Sequence, residues 1–341
     1  MKLYYAVVFC LFCSVQAFPQ DSKINKQQFF LDEHPIEVTL STDIKMLRNS
    51  KKNAASQPGK ITLNFSDTLS ITDTISVQVR GVYRKENCDL ASLMLNFANN
   101  KSNDLANLKK IKLVGNCRNG KDYDELLLKE FLVYKMYNFI TNMSFRVRLV
   151  HITYNDSKEK VKPFSYYGFL IEDMNDLAER NNCIEVKKQD FLTEATDRQQ
   201  MTIINLFQFM IGNTDWSIPH YHNMKLMVGK NSPANKPFAI AYDFDYSGFV
   251  NAHYAVPSEG LGIESVRQRL YRGFPRGYDE LTATIAIFNE KKESIYYYLK
   301  NFELIDEKEK KSMISYLDDF YETINNRKEV ESIFIRNARS Q

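Results

Sequence analysis

Two segments of the chain, GNTDW at residues 212–216 and YDFDYSG at residues 242–248, flank a predicted β-hairpin. Residues 197–211, just before them, have apolar side chains at three- and four-residue spacing without Pro or Gly, which predicts an amphipathic helix. Residues 224–228 and 237–242 have the composition of strands, with turn-forming residues between them. The order along the chain is therefore a helix, an acidic loop, a hairpin and a second acidic segment.

The polar side chains of these segments have the chemistry that phosphoryl transfer requires. Its transition state is loose, so catalysis depends on positioning and on neutralising phosphate charge with a metal ion. Asp215 is the candidate for the carboxylate that orients or deprotonates the attacking hydroxyl. Asn223, Asp243 and Asp245 are the candidate ligands of Mg²⁺ or Mn²⁺, because these ions bind oxygen donors. In the alternative interpretation, Asp215 caps a turn and the two later aspartates only end a strand.

This region resembles the spore-coat protein H (CotH-like) kinase family, particularly its secreted bacterial relatives. The specific part is residues 207–256, with the pattern GNTDW...HN..L...YDFDYSG. Further similar blocks lie at residues 79–88, 110–117, 130–134, 144–154, 168–180 and 265–273. The resemblance implies an α+β, atypical protein-kinase-like fold with two lobes. It also implies an enzyme that uses ATP and Mg²⁺ or Mn²⁺ and transfers the γ-phosphate to a hydroxyl of a protein substrate.

Three parts of the chain are predicted. Residues 1–17 form a signal peptide, residues 18–172 a strand-rich N-lobe that holds the nucleotide, and residues 173–341 a mainly helical C-lobe. The C-lobe contains the catalytic loop, the metal-binding Asp-Phe-Asp segment and the C-terminal helices. Several N-lobe segments have alternating apolar and polar residues or a strand-like composition. They predict strands at residues 36–42, 61–65, 75–82, 92–97, 145–154 and 165–171. Helical periodicity predicts a helix at residues 123–140.

Lys112 and Glu130 are candidate cofactor-binding residues in the N-lobe. Lys112 lies in a short predicted strand, and Glu130 is an acid on the apolar stripe of the predicted helix, where it needs a cationic partner. A strand lysine and a helix glutamate form the pair that positions the α- and β-phosphates in kinases. Lys110 alternates to the same side of the strand as Lys112, and Arg80 or Arg84 could replace either lysine. The alternative is a solvated lysine and a partly exposed glutamate.

The predicted hinge between the lobes follows the strand at residues 165–171. Glu172 and Met174 are candidate cofactor-binding residues there, because the hinge backbone of kinase-like folds binds adenine. Further along, Arg269, Arg272 and Arg276 share one face at helical spacing. Two interpretations are open for these arginines: contact with phosphate or an acidic substrate, or simple exposure to solvent.

Composition and the amino terminus limit the class of protein and its compartment. The 341 residues include 44% hydrophobic residues, enough for one sizeable domain, and the formal charge of +3 does not indicate nucleic-acid binding. Met1-Lys2, an apolar stretch to residue 13 and Val15-Gln16-Ala17 have the pattern of a signal peptide cleaved near Ala17. No later segment is long and apolar enough to be a transmembrane helix. A secreted or periplasmic protein is expected.

Three cysteines, Cys88, Cys117 and Cys183, remain in the expected mature chain. An oxidising compartment permits one disulfide and one remaining thiol. Cys88 with Cys117 is the preferred pair, because both lie in the strand-rich amino-terminal half. The alternative is three buried free thiols.

Two other classes of function compete with the kinase. His220 and His222, together with Asp243 and Asp245, form an H-x-H and a D-x-D cluster that suit a metal-dependent hydrolase. That interpretation leaves Asn223 without a role. The second alternative is a non-catalytic secreted or surface binding protein, although such a protein need not keep the acidic and amide residues of the two segments.

Overall fold

The sheet of the amino-terminal half closes on itself. The structure, a computed structural model, describes residues 24–50, 55–81, 83–97, 105–118, 120–187, 190–232 and 235–339. Seven strands in these ranges form a closed barrel in the order β1-β2-β3-β4-β5-β7-β6. They are β1 (Ile36–Thr42), β2 (Gln57–Ser66), β3 (Leu69–Val79), β4 (Leu93–Asn96), β5 (Lys110–Gly115), β6 (Val147–Asp156) and β7 (Phe164–Ile171). The predicted signal peptide, residues 1–17, lies outside the described residues.

Strand β1 closes the barrel because it pairs on both of its edges. It is antiparallel to β2, with Val38 opposite Leu63, and parallel to β6, with Val38 opposite Ile152. Alternate residues of β1 are buried, as a strand with one face on a core requires. The barrel core includes Val38, Leu63, Val77, Leu95 and Ile152. Each of the seven strands therefore has a hydrogen-bonded neighbour on both sides, so the sheet has no edge strand.

The predicted α+β, atypical protein-kinase-like fold with two lobes is therefore wrong. That prediction required a sheet as the N-lobe, whereas the strands form a closed mixed barrel. The strand positions themselves were read correctly, since each predicted N-lobe strand overlaps an observed one. Alternation in one strand shows its buried face but not its partner, so the pairing of β1 with β6 left no local pattern to recognise. The proposed division at residue 172 remains a prediction.

The other elements of the described structure are a small sheet and the helices. Strands β8 (Cys183–Val186), β9 (Met224–Gly229) and β10 (Phe238–Ala241) form an antiparallel sheet in the order β10-β9-β8. The α-helices of the described residues are α1 (Lys26–Leu31), α2 (Ile44–Asn49), α3 (Tyr83–Asn87), α4 (Lys121–Ile140), α5 (Met174–Arg180), α6 (Arg198–Ile211), α7 (Tyr278–Lys300), α8 (Glu307–Asn325) and α9 (Arg327–Glu331). Among all the residues that the structure describes, no helix combines the length and apolar character needed to cross a bilayer.

A second hydrophobic core joins α4 to the later helices and carries the segments that hold the candidate site. Helix α6 is the helix predicted at residues 197–211, and Asp197 caps it by accepting the Gln200 N–H at 2.9 Å. Gly212 ends the helix in the left-handed region at φ +64°, which glycine adopts without strain. A side chain at Gly212 would also clash with the Tyr316 hydroxyl. The chain therefore turns sharply from α6 into the GNTDW segment.

The disulfide forms between Cys88 and Cys117, as preferred from the sequence, and Cys183 is a buried free thiol. The two Cα atoms are 4.4 Å apart, and the Asp89 N–H donates to the Cys117 carbonyl at 2.8 Å. The bridge fixes the segment that follows α3 to the segment that follows β5. Helix α3 carries Arg84, so the disulfide supports one wall of the candidate site.

Replacing both bridged cysteines, in Cys88→Ala/Cys117→Ala, should lower the free energy of unfolding by about 3 kcal/mol. The bridge closes a loop with a sequence separation of 29, and cross-linking such a loop restricts the unfolded chain. Urea unfolding with and without reductant measures this. Reductant should destabilise the wild type and the Cys183→Ala control equally and leave the double variant unchanged. A wild type insensitive to reductant would contradict the prediction.

Candidate functional site

A cavity of about 490 Å³ brings together residues of the barrel, of α4 and of the two acidic segments. Six of the eight candidate site residues line it: Asp215, Asn223, Asp243, Asp245, Lys112 and Glu130. The polar side chains that join them are Arg80, Arg84, Ser92, Tyr134, His222, Tyr242 and Tyr246. The volume lies within the range of small-molecule sites, roughly 300–1,000 Å³. Two segments that are separate in sequence thus converge on one cavity.

Asp215 and Asn223 are held together by hydrogen bonds. The Asn223 Nδ2 donates to Asp215 Oδ2 at 2.9 Å and to the Asp215 carbonyl at 2.8 Å. His222 Nε2 lies 2.8 Å from Asp215 Oδ1, and the Asp215 N–H donates to Asn213 Oδ1 at 2.9 Å. Because Asn223 uses its amide nitrogen in this way, its Oδ1 is left as a ligand for a metal ion. Asp215 is itself two-thirds buried.

Asn223 and Asp243 both have strained backbone conformations. Their φ angles are +52° and +64°, in the left-handed region that non-glycine residues seldom adopt. The Tyr242 N–H donates to the Asn223 carbonyl at 3.1 Å, and the Asp243 N–H donates to the Tyr134 hydroxyl at 2.9 Å. Asn and Asp adopt this region more readily than other non-glycine residues, and these hydrogen bonds hold both residues in it. The two residues are therefore held in place by their neighbours.

A buried ion pair joins α3 to α4 beside these aspartates. Arg84 Nη2 lies 3.3 Å from Glu130 Oε2 and 3.7 Å from Asp245 Oδ2, and Arg84 Nη1 donates to the Gly115 carbonyl at 2.8 Å. Glu130 is only 2% exposed. Its pKa is raised by burial and by the neighbouring Asp245, and Arg84 opposes that rise. Burial lowers the pKa of Arg84, but Glu130 and Asp245 outweigh this and raise it.

The partner of Glu130 is thus Arg84, which the sequence left open beside Lys112. Lys112 lies over the rings of Phe145 and Tyr242, at 5.5 and 5.9 Å from their centroids. Burial, with repulsion from Arg80, lowers the Lys112 pKa to about 8. Position in the sequence does not show which of several nearby cations reaches a buried acid. The sequence therefore did not distinguish Lys112 from Arg84 as the partner of Glu130.

The two candidate hinge residues lie away from the lining of the cavity. The Glu172 carboxylate accepts hydrogen bonds from Arg180 Nε at 2.9 Å and from the Arg146 N–H at 3.1 Å, and the Glu172 N–H donates to the Arg146 carbonyl. Met174 is buried in the second core at the start of α5. Ile171, one residue before Glu172, does line the cavity. Adenine binding by Glu172 or Met174 remains a prediction.

The arginines at residues 269–276 have structural contacts. Arg269 and Arg272 donate to backbone carbonyls, those of Met210 and Trp216 among them. Arg276 is 2% exposed and pairs with Glu194 at 2.7 Å. These contacts use the guanidinium groups inside the protein, so neither solvent exposure nor contact with phosphate describes them.

Only one histidine of the H-x-H cluster lines the cavity with the aspartates. His222 contacts Asp215, while His220 is exposed. Within the described ranges, no three side chains of His, Cys, Asp and Glu come together as a metal site. A zinc hydrolase needs such a set of three. Mg²⁺ bound with substrate phosphates needs only one or two carboxylates from the protein.

Comparison with known proteins gives no family. No protein-family model matches the chain, and no curated protein matches it. The resemblance to spore-coat protein H kinases therefore remains a prediction from the sequence.

Removing the cation of the buried pair, in Arg84→Met, should lower the free energy of unfolding by about 3–5 kcal/mol, because Glu130 is left as an unpaired buried charge. The double variant Arg84→Met/Glu130→Met should recover most of that loss. Arg327→Met, which breaks an exposed pair with Glu331, is the control and should cost less than about 1 kcal/mol. Denaturant unfolding measures all three, and an additive double variant would refute the coupling.

Asp245 should make the stability of the ligand-free protein depend on pH. Burial and the nearby Asp243 raise its pKa from 3.8 to about 6, against the opposing effect of Arg84. A raised carboxyl pKa stabilises the fold below the unfolded value, and that contribution is lost as the pH rises through the folded value. Between pH 4 and 7 the wild type should therefore lose up to about 3 kcal/mol relative to Asp245→Asn.

Unfolding of both proteins at several pH values, with Asp67→Asn in the exposed β2–β3 turn as the control, tests this. The control should follow the wild type. A difference between wild type and Asp245→Asn that does not change with pH would rule out the raised pKa.

Proposed function

We propose that the cavity binds a nucleoside triphosphate with Mg²⁺ or Mn²⁺ and that the protein transfers the γ-phosphate to a hydroxyl, with a protein as the acceptor. One observation carries the proposal: hard oxygen donors and cations from separate parts of the chain line the same cavity. Carboxylates with an amide suit a divalent ion, and cations suit phosphates. The resemblance to protein kinases supplies the class of acceptor.

The chemistry of the donors fits the metal ion. Asn223 Oδ1, Asp243 and Asp245 would hold it, since Asn223 has its amide nitrogen turned to Asp215. Asp245 is paired on one oxygen with Arg84 and with the Tyr254 hydroxyl, at 3.7 and 3.2 Å, so Asp243 is the principal carboxylate. When bound, the ion neutralises phosphate charge in the transition state.

Asp215 is the residue proposed to act on the acceptor. Its carboxylate would accept the hydroxyl proton while the hydroxyl oxygen forms a bond to the γ-phosphorus and the bond to the β-phosphate oxygen breaks. His222 and Asn223 bond to the two carboxylate oxygens and thereby orient Asp215. Lys112, half-buried in the same cavity, is a ligand for the phosphates that are not transferred.

Secretion or export to the periplasm is part of the proposal. The disulfide between Cys88 and Cys117 supports it, because disulfides persist in oxidising compartments.

Two substitutions separate the proposed roles. Asp243→Ala should abolish Mg²⁺-dependent ATP binding, because it removes the main anionic ligand of the metal. Asp215→Asn should keep ATP affinity and lower transfer about 10²- to 10⁴-fold, the usual effect of losing a positioned general base. ATP affinity and γ-phosphate transfer are measured for both, with Mg²⁺ and with Mn²⁺.

Asp67→Asn is again the control and should match the wild type. Equal transfer by Asp215→Asn would show that this aspartate only caps a turn, and a parallel loss of ATP affinity would place it among the metal ligands. ATP binding without transfer in the wild type would favour the non-catalytic binding protein.

A further inference from the structure

A second, smaller cavity adjoins the one described above. Its volume is about 170 Å³, and it shares no lining residue with the larger cavity. The end of α1, the last turns of α4 and the loop from α4 to β6 form it, together with Arg180 of α5. Phe145 lines the larger cavity, whereas its chain neighbours Ser144 and Arg146 line the smaller one. The two cavities are therefore separate sites with a common wall.

One cation of the smaller cavity, Arg146, has no counter-ion. Within the described part of the chain, its guanidinium forms no ion pair and no hydrogen bond. The two other cations of the lining are each paired. Lys135 Nζ lies 2.5 Å from Glu33 Oε1. Arg180 Nε lies 2.9 Å from Glu172 Oε1, so one positive charge remains over.

The carboxylate nearest to Arg146 is already in use. Both oxygens of Glu172 accept hydrogen bonds from Arg180, at 2.9 and 3.0 Å, and Oε2 also accepts the Arg146 backbone N–H. Burial and repulsion from Arg180 lower the pKa of Arg146, and Glu172 opposes this. The half-buried Arg146 guanidinium is thus held near another cation, and a negatively charged ligand would compensate that repulsion.

The size and the walls of this cavity limit the kind of ligand. A volume of about 170 Å³ is below the range of drug-sized ligands, roughly 300–1,000 Å³, and leaves room for one side chain of a peptide. Phe30, Leu31 and Phe139 give the cavity apolar surface, and Leu31 is 50% exposed. One carboxylate matches the one unpaired charge, and the exposed leucine offers a contact to an apolar neighbour of that carboxylate.

We propose that the smaller cavity is a docking site for a protein segment that places one Asp or Glu side chain against Arg146 and an apolar residue against Leu31. A guanidinium binds a carboxylate through two parallel hydrogen bonds, which gives orientation as well as affinity. A contact away from the reacting hydroxyl would hold an acceptor protein at high effective concentration. That the partner is the acceptor rests on the proposed function, whereas docking itself requires neither ATP nor transfer.

The test is binding of the peptide Gly-Ser-Leu-Glu-Phe-Ser-Gly, with both ends blocked and an uncharged fluorescent label, to the purified protein at constant ionic strength. Blocked ends leave the Glu side chain as the carboxylate of the peptide. Wild type should bind it about tenfold more tightly than the same peptide with Gln in place of Glu. Arg146→Met should bind both peptides equally. Arg146→Lys should recover part of the preference, because an ammonium lacks the paired donors.

Further substitutions locate the bound peptide. Arg48→Met removes an arginine of α2 outside both cavities, and Lys112→Met removes a cation of the larger cavity. Both variants should keep the tenfold preference for Glu. A loss of this preference in Lys112→Met would place the carboxylate in the larger cavity and overturn the docking site. Leu31→Ser should weaken binding of both peptides about threefold and keep the preference.

Two more measurements are able to overturn the assignment. Since the Arg146 side chain has no partner in the described structure, Arg146→Met should melt within about 2 °C of the wild type. A fall of more than about 4 °C would show that this arginine stabilises the fold instead. A Gln peptide with a free carboxyl end that binds as tightly as the blocked Glu peptide would show that chain ends, and not acidic side chains, are bound.

Asp243→Ala separates the docking site from the proposed function. It should bind the Glu peptide as the wild type does, while its Mg²⁺-dependent ATP binding is lost. For an acceptor peptide that carries the Leu-Glu-Phe segment, Arg146→Met should raise KM at least about fivefold and leave kcat unchanged. Docking without transfer would count against the proposed function alone. Equal binding of the Glu and Gln peptides by the wild type would overturn the docking site whether or not phosphate transfer is found.

Discussion

The ion pair between Arg84 and Glu130 is the contact on which the geometry of the cavity depends. Glu130 lies on α4 inside the second core, and its charge is tolerable there only because Arg84 lies 3.3 Å away. Arg84 also binds the carbonyl of Gly115 and approaches Asp245, so one guanidinium connects α3, α4, β5 and the Asp-Phe-Asp segment. The Cys88–Cys117 disulfide keeps α3 in reach of all three.

This pairing divides the charges of the cavity into two groups. Arg84 pairs with Glu130, which is buried in the core, whereas Asp243, Arg80 and Lys112 line the same cavity without ion pairs in the described structure. The backbone strain at Asn223 and Asp243 has the same character, since it costs stability and is enforced by neighbouring contacts. Other residues outside the cavity also have positive φ angles, but at Asn223 and Asp243 this backbone conformation coincides with charges that have no ion-pair partner in the described structure.

Local features of this chain could be predicted from its sequence, and long-range pairing could not. Helix α6 and strand β1 begin and end close to their predicted bounds, because apolar periodicity is a property of neighbouring residues. The convergence of Asp215 with Asp243 was also foreseen, since a short hairpin brings its two ends together. Closure of the barrel depends on strands far apart in sequence, and the partner of Glu130 depends on the position of α3. Ser92 gave no signal, because a serine beside a strand is ordinary and only its position in the lining of the cavity distinguishes it.

The closed barrel changes the framework around the cavity but not the set of side chains that line it. The expectation of a two-lobed kinase-like fold concerned how the amino-terminal strands assemble, and the barrel contradicts it. The proposed function depends on which side chains line one cavity. The same chemistry is known to occur on unrelated folds. Here β5 and the segment between β3 and β4 contribute cations, while the loop after α6 and the segment after β10 contribute oxygen ligands. The cavity combines cations from the barrel region with carboxylates from the Asp-Phe-Asp segment. This combination suits a metal-bound polyphosphate whatever the topology that produces it.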